Sequence, residues 1–297
     1  MKPPAFAYHR PGTIDEALEL LADLGDDARV LAGGQSLIPV LNFRLTHPSA
    51  LVDLNGVAEM DFIEEGPDGG LRMGAMTRQR TAELNPVVAA QAPLLAEALP
   101  WVAHPAIRNR GTMGGSLAHA DPASELPAVM VALGARFGIY GRDGGRLVEA
   151  DAFFPGLFST ALEQGEILGE VHLPALEPGS GVAFEEVARR HGDFALAGVA
   201  ALIELDPDGE CRDARLGLLG LGTGPVLARS ASAELVGEAP TEARIAAAAR
   251  VAAAEDASPL GDVHASADYR RSLAETLVRR ALVRAVGRAR GAVEAGR

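Results

Sequence analysis

The 297-residue sequence predicts an α+β fold built as two domains. Two observations carry this. A Pro- and Gly-containing stretch of little apolar content, Leu173–Gly181 (LPALEPGSG), interrupts the chain. Beyond it, three strand-like runs precede two helical ones, a meander followed by helices. The division falls at 1–176 and 177–297.

The elements read in order. Thr13-Ile14-Asp15-Glu16 forms a capping box, in which Thr13 accepts from the N–H three residues on and Glu16 reaches back to the N–H of Thr13. Apolar residues at Ile14, Ala17, Leu18, Leu21 and Ala22 continue it as a helical stripe, ending around Gly25. Arg29–Leu31 is a short strand that runs directly into Ala32-Gly33-Gly34-Gln35-Ser36. Ala50–Asp53 and Leu71–Ala75 are further strands. Thr81–Val102, rich in Ala and Leu, is helical but broken at Pro86, Pro93 and Pro100. His104–Ser124 is the least regular stretch. Glu125–Leu133 is helical, Arg136–Tyr140 a strand and Gly141–Gly145 a turn. In the second domain, strands at Val182–Val187, Val199–Leu205 and Ala214–Leu219 precede helices at Thr241–Ala254 and from Ser266 to about Arg288.

Composition narrows the function. A net charge of −13, from 27 Lys+Arg against 40 Asp+Glu, disfavours nucleic acid and anionic membranes as partners. Aromatic content of 4% leaves little for stacking on bases. The basic cluster Arg270, Arg271, Arg279, Arg280, Arg284, Arg288 and Arg290 reads as a solvated helix face, with docking of an acidic partner as the alternative. The single cysteine, Cys211, can form no internal disulfide and cannot hold an iron–sulfur cluster, which needs several thiolates. The N-terminal residues lack the apolar core of a signal peptide, and no run reaches the roughly 20 apolar residues of a membrane span. A cytoplasmic location follows as the expectation.

Two segments carry candidate chemistry. A strand opening into AGGQS can turn successive backbone N–H groups toward one point, a nest suited to a diphosphate. The candidate contacts are Ala32, Gly33, Gly34, Gln35 and Ser36, with Leu31 and Leu37 flanking them. An ordinary tight turn reads equally well from this segment alone. Gly111-Thr112-Met113-Gly114-Gly115-Ser116 is a second segment of the same kind, among Arg108, Asn109, His119, Asp121, Ser124 and Glu125. A second phosphate and ribityl cradle would explain that polar gathering, and so would an exposed loop. Neither segment has Walker A spacing. Gly220–Pro225 begins like G-x-G, but Pro225 opposes the helix start such a motif needs, so it reads as a turn. His119 and Asp121 lack an obviously spaced third metal ligand, and a Ser116–His119–Asp121 triad would rest on geometry that spacing does not give. No catalytic residue and no metal ligand is assigned.

The stretches AGGQSLIPVLNFRL (Ala32–Leu45) and IRNRGTMGGSLAHADPASELPAV (Ile107–Val129) resemble the two signature loops of the FAD-binding, or medium, subunit of the xanthine dehydrogenase and aerobic carbon monoxide dehydrogenase family. FEEVARRHGDFALAGVAA (Phe184–Ala201) and HASADYRRSLAETLVRRAL (His264–Leu282) resemble its C-terminal domain, so the likeness spans nearly the whole chain in order. The resemblance implies a vanillyl-alcohol-oxidase (PCMH)-type FAD-binding domain of two α/β subdomains followed by an α+β C-terminal domain. It implies that Ala32–Ser36 wraps the FAD diphosphate and that Thr112–Ser116 contacts phosphates and ribityl chain. It places Glu125 near the cofactor and has Ile167 and Leu168 line the ring system. Three places depart: the segment Glu185-Glu186, where many relatives carry a Lys, Met113 where Ile is frequent, and Gln35 where many carbon monoxide enzymes have His.

The mechanism implied is a relay. Substrate is oxidised at a molybdopterin cofactor in a large subunit, and electrons cross two [2Fe–2S] clusters in a small subunit. They reach FAD in this chain and leave to an external acceptor, within a heterotrimer paired as (LMS)2. The cofactor carries the redox chemistry and the protein binds and orients it. Two alternatives remain open: a stand-alone FAD-dependent oxidoreductase acting directly on a small molecule, and a non-enzymatic assembly or scaffold protein whose glycine segments are only turns.

Overall fold

The computed structural model describes residues 2–66 and 68–295. Three sheets follow one another along the chain. Strands β1 (Ala7–His9), β2 (Ala28–Leu31) and β3 (Ala50–Asp53) form a small parallel sheet in the order β1-β3-β2. The helix Ile14–Leu24 packs Ala17, Leu18 and Leu21 into the core beneath it. Its cap is as expected at one end only. Thr13 accepts from the Glu16 N–H at 3.2 Å, but Glu16 reaches the N–H of Gly12 (2.7 Å) rather than that of Thr13.

A five-stranded antiparallel sheet follows. It comprises β4 (Ile63–Glu65), β5 (Leu71–Gly74), β6 (Arg136–Gly141), β7 (Gly144–Glu149) and β8 (Ile167–Leu173), in the order β4-β5-β8-β6-β7. Between β5 and β6 the chain runs as short helices. The three prolines act as the sequence predicts: Pro86 and Pro93 each open a helix (Pro86–Gln91, Pro93–Ala98), and Pro100 sits in the 3-10 turn Leu99–Trp101. The stretch expected to be least regular contains two more helices, Pro105–Arg108 and Met113–His119. Gly114, Gly115 and Ser116 are therefore helical residues. The high glycine content hid this, because glycine lowers helix propensity by about 1 kcal/mol per residue.

The third sheet is an antiparallel meander of β9 (Ser180–Ala188), β10 (Ala195–Leu205), β11 (Cys211–Leu219) and β12 (Val226–Leu227). Both of its faces are covered. On one, Ala183, Val199, Ala201, Ile203, Leu216 and Leu218 meet the helices Glu242–Val251 and Ala267–Ala295. On the other, Val182, Phe184, Ala200, Leu202 and Leu219 join the core of the first half of the chain. The Glu125–Leu133 helix lies so close to this face that a Cβ on Gly217 would stand 2.1 Å from the Ala128 carbonyl oxygen. Arg215 crosses the same seam to the carbonyls of Val131 (3.1 Å) and Ala132 (3.0 Å).

The C-terminal arginines are not a uniformly solvated face. Arg270 is buried and donates to the Leu196 carbonyl (2.5 Å) and to Asp262 (2.7 Å). Arg284 and Arg288 both reach Glu97 at 2.5 Å, and Arg284 also meets Glu185 at 2.6 Å. These bonds tie the last helix to β9 and to the first half of the chain. Among the described residues, no helix is long and apolar enough to cross a membrane.

Candidate functional site

The two glycine-rich segments, some 80 residues apart in sequence, are in direct contact. A Cβ on Gly33 would lie 2.3 Å from the carbonyl oxygen of Arg110 and 2.8 Å from Cα of Gly111. One on Gly115 would meet the Thr112 hydroxyl at 2.7 Å and Cβ of Ala32 at 3.2 Å. At Gly33 backbone packs on backbone, at Gly115 the Thr112 hydroxyl and the Ala32 methyl take the room, and neither position admits a side chain.

The segments differ in what they can offer a ligand. In the first, β2 ends at Leu31, Ala32 to Ser36 turn, and a short helix (Leu37–Asn42) begins. Among the described residues, no acceptor meets the backbone N–H of Gly33, Gly34, Gln35 or Ser36. Gly34 sits at φ +74°, a left-handed conformation that reverses the run of amides. Gln35 braces the turn by donating to the Gly33 carbonyl at 3.0 Å. Four consecutive free amides, on the partly exposed Gly33, Gly34 and Gln35 and the exposed Ser36, fit an anionic group such as a diphosphate.

In the second segment five of the six amides are already engaged. Gly111 donates to Ile107 (2.7 Å), Met113 to Thr77 (2.9 Å), Gly114 to Ala75 (2.8 Å) and Ser116 to the Thr112 carbonyl (3.3 Å). The Gly115 N–H donates to the Thr112 hydroxyl at 3.0 Å, an N-cap bond. Gly111, Thr112 and Gly114 are buried. The segment thus acts as a wall, and Gly115, Ser116 and, beyond them, His119, Asp121 and Ser124 are among the residues that keep partial exposure. His119 lies beside the exposed ring of Phe158, centroids 5.3 Å apart. Asp121 caps its own turn by accepting from the Ala123 N–H at 2.9 Å.

Glu125 is buried at the first turn of its helix, and burial, followed by the charge of Asp121, raises its carboxyl to about 7. Ile167 and Leu168 are buried on β8, next to Gly169, whose carbonyl accepts from Ala75; Ala75 in turn touches Gly114. Successive strand residues point to opposite faces, so only one of the two can line a common pocket.

Sequence reading missed the support beneath the first loop. Tyr8 donates to Asp53, whose carboxylate also accepts from the backbone N–H of Asn55 (2.9 Å) and from its side-chain amide. Burial works against the charge on Asp53, but the bonds from Tyr8 and Asn55 hold its carboxyl below the ordinary range. The Asn55 amide donates to the Ala32 carbonyl at 2.9 Å. Arg78 completes the link, donating at 2.5 Å both to Asn55 Oδ1 and to the Arg110 carbonyl. Burial, then the nearby Arg110, pulls the Arg78 guanidinium below its usual range. One connected set of bonds therefore sets both segments. These residues lie in ordinary strand and loop contexts, with no spacing signature. Asn55→Ala is expected to weaken cofactor affinity roughly tenfold, about 1.4 kcal/mol, by freeing the Ala32 carbonyl and one Arg78 bond; titrating FAD into the apoprotein measures it.

Comparison with known proteins agrees with this architecture. Residues 4–176 match the FAD binding domain in molybdopterin dehydrogenase, and residues 182–285 match the CO dehydrogenase flavoprotein C-terminal domain. The 6-hydroxypseudooxynicotine dehydrogenase complex subunit alpha of Paenarthrobacter nicotinovorans is 43% identical, covering 98% of this chain and 97% of its own. The carbon monoxide dehydrogenase of Hydrogenophaga pseudoflava superposes with a TM-score of 0.94 at 40% identity, over 97% of this chain and 99% of its own. Quinoline 2-oxidoreductase from Pseudomonas putida 86 gives 0.91 at 42% identity, over 99% and 100%. The fold and the matched domains define an FAD-dependent oxidoreductase subunit with a PCMH-type α+β fold. Within that class, the chain belongs to the carbon monoxide dehydrogenase and xanthine dehydrogenase family of FAD-binding subunits.

Proposed function

We propose that this chain carries FAD as the electron outlet of a molybdenum-containing hydroxylase. The diphosphate sits on the free amides of Gly33, Gly34, Gln35 and Ser36, with Ala32, Leu31 and Leu37 shaping that loop. Gly111, Thr112, Gly114 and Gly115 form the wall that fixes the loop from behind. Ser116, His119, Asp121, Ser124 and Glu125 supply the polar side of the site, and one of the neighbouring pair Ile167 and Leu168 its apolar side. The observation that carries this reading is the run of unpartnered amides held against a second glycine segment. Bound there, FAD supplies the redox chemistry, and the chain's own part is to bind, orient and shield it.

Relatives are named as subunits or chains of dehydrogenase complexes, which supports a partner-dependent role. The partners in this reading are a small subunit with [2Fe–2S] clusters and a large molybdopterin-binding subunit, in a cytoplasmic (LMS)2 assembly of two domains per medium chain, 1–176 and 177–297. The lone Cys211 is consistent with clusters held elsewhere. Purification from the native host is expected to bring down FAD, iron and molybdenum together, with the bound flavin bleached by the substrate of the large subunit. A full flavin complement with neither metal, turning over a small molecule alone, would replace this reading with a stand-alone oxidoreductase.

A further inference from the structure

The helix after the first glycine segment, Leu37–Asn42, ends in a turn that holds two large apolar side chains in water. Arg44 donates its N–H to the Leu41 carbonyl (2.9 Å) and Leu45 to the Val40 carbonyl (3.1 Å), the paired bonds of a Schellman stop. The residue at the bend of such a stop is left-handed and is ordinarily glycine; here it is Arg44, at φ +57°. In the usual form of this turn the residue after the bend packs back on the helix. Leu45 does not: it is 76% exposed, and Phe43, on the other side of the bend, is 67% exposed. One stray apolar residue on a surface needs no account. Two that flank an arginine on a hydrogen-bonded turn have the composition of an interface centre.

The charge around this turn is opposite to that of the chain. Residues 1–14 and 28–52 carry Lys2, Arg10, Arg29 and Arg44 and neither Asp nor Glu, in a chain of net charge −13. The two stretches lie side by side: β1 pairs with β3, Ala7 donates to the Ser49 carbonyl (2.8 Å), and Arg44 Nε reaches the Lys2 carbonyl (3.5 Å). Among the described residues none of the four cations is in an ion pair, and the three arginines donate to backbone carbonyls. Asp53, on which Arg10 acts, is buried at the end of β3. Asp26 and Asp27 precede β2, on the opposite edge of the sheet from β1. A second copy of this chain is a poor occupant, because a two-fold contact would set this cationic turn against itself.

We propose that Phe43, Arg44 and Leu45 form a docking knuckle for one partner subunit, whose surface offers an apolar socket rimmed by Asp and Glu. This rests on the partner-dependent reading above. The apolar pair supplies the buried centre of the contact, and the cations steer and orient the partner. The helix between the knuckle and the first glycine segment has six residues, about 9 Å at 1.5 Å per residue, so a partner seated here stands close to the cofactor loop.

The test uses the whole complex, purified from the native host through a tag on this chain, with iron and molybdenum counted per FAD. Phe43→Asp combined with Leu45→Asp is expected to keep the flavin and release the partner, lowering iron or molybdenum per FAD at least tenfold; the metal lost names the subunit. Arg44→Gly suits the left-handed bend, so it should raise the melting temperature of the chain yet loosen the same partner. A purely structural role for Arg44 would move stability and retention together. Leu147→Asp, equally exposed on the edge strand β7, serves as control and should keep both metals. The proposal is overturned if the knuckle variants keep the metal content of wild type. It is also overturned if they change only self-association of this chain or its binding to anionic phospholipid vesicles. Wild type arriving with FAD and neither metal would remove the partner-dependent reading as well, whereas metals kept by wild type and variants alike would remove this surface alone.

Discussion

Gly33→Val is expected to yield a folded protein that purifies without flavin and does not take it up on reconstitution, a loss of affinity of at least about 100-fold, or about 2.7 kcal/mol. The cause is not backbone strain at Gly33, whose φ is not in the left-handed region; that constraint belongs to Gly34. The cause is contact. A Cβ at position 33 would stand 2.3 Å from the Arg110 carbonyl oxygen, and two branches beyond it would need still more room. The obstacle is backbone on a segment pinned by Arg78, so it cannot swing aside as a side chain would. The first loop must lift, which pulls Ala32 from Asn55 and scatters the four free amides. Amides act on a diphosphate only when they converge, so a displacement of about 1 Å removes most of the benefit. Gly291→Ala, in open space on the last helix, serves as control and should keep full flavin. The ratio of flavin to protein absorbance, read beside circular dichroism, decides the matter. Full flavin in Gly33→Val would falsify the loop assignment.

The sequence made some of this visible and hid the rest for physical reasons. Strands Ala50–Asp53 and helix Glu125–Leu133 were legible because each is a bounded apolar run. The proline breaks in 81–102 were legible because proline removes a backbone donor wherever it stands. Strands β1, β4 and β7 were not, since each is a mostly exposed edge strand with no apolar run to mark it. At the site, glycines announced the two segments but not their different parts. Whether an amide is free or engaged depends on Thr77 and Ala75, which meet the second segment only in the folded chain. The support of Tyr8, Asp53, Asn55 and Arg78 was likewise invisible, because single polar residues in strands and loops carry no periodicity. Glu186 was noticed only as a departure from the family pattern; its burial against the first half of the chain is a property of the register of β9 on β10.

Arg108→Met is expected to destabilise the fold by about 3–5 kcal/mol, the cost of removing one partner of a buried pair. At roughly 2–4 °C per kcal/mol for a chain of this size, that lowers the melting temperature by about 10 °C. The Arg108 side chain is 5% exposed, and it holds Glu83 through two bonds, Nε to Oε2 at 2.7 Å and Nη2 to Oε1 at 3.1 Å. Its Nη1 also donates to the carbonyls of Val102 (2.7 Å) and Ala103 (3.2 Å). Ala103 is a non-glycine residue at φ +44°, so this guanidinium stabilises a turn the backbone does not favour. That turn leads into Pro105–Arg108 and on to Gly111, and its loosening should also weaken flavin binding. Methionine fills the space but leaves the carbonyls without a donor and Glu83 with Arg80 alone (2.8 Å). Two further measurements separate this from a general packing defect. Burial opposes the charge on Glu83, but the bonds from Arg108 and Arg80 outweigh it and keep its carboxyl below the usual range. That stability is present above the unfolded value and is lost as pH falls through the folded one, so the gap between wild type and variant should be wide at pH 7 and narrow in acid. A double variant with Glu83→Met as well should recover part of the loss, because the orphaned carboxylate is gone. A gap independent of pH, with no recovery in the double variant, would mean that Arg108 contributes by packing alone.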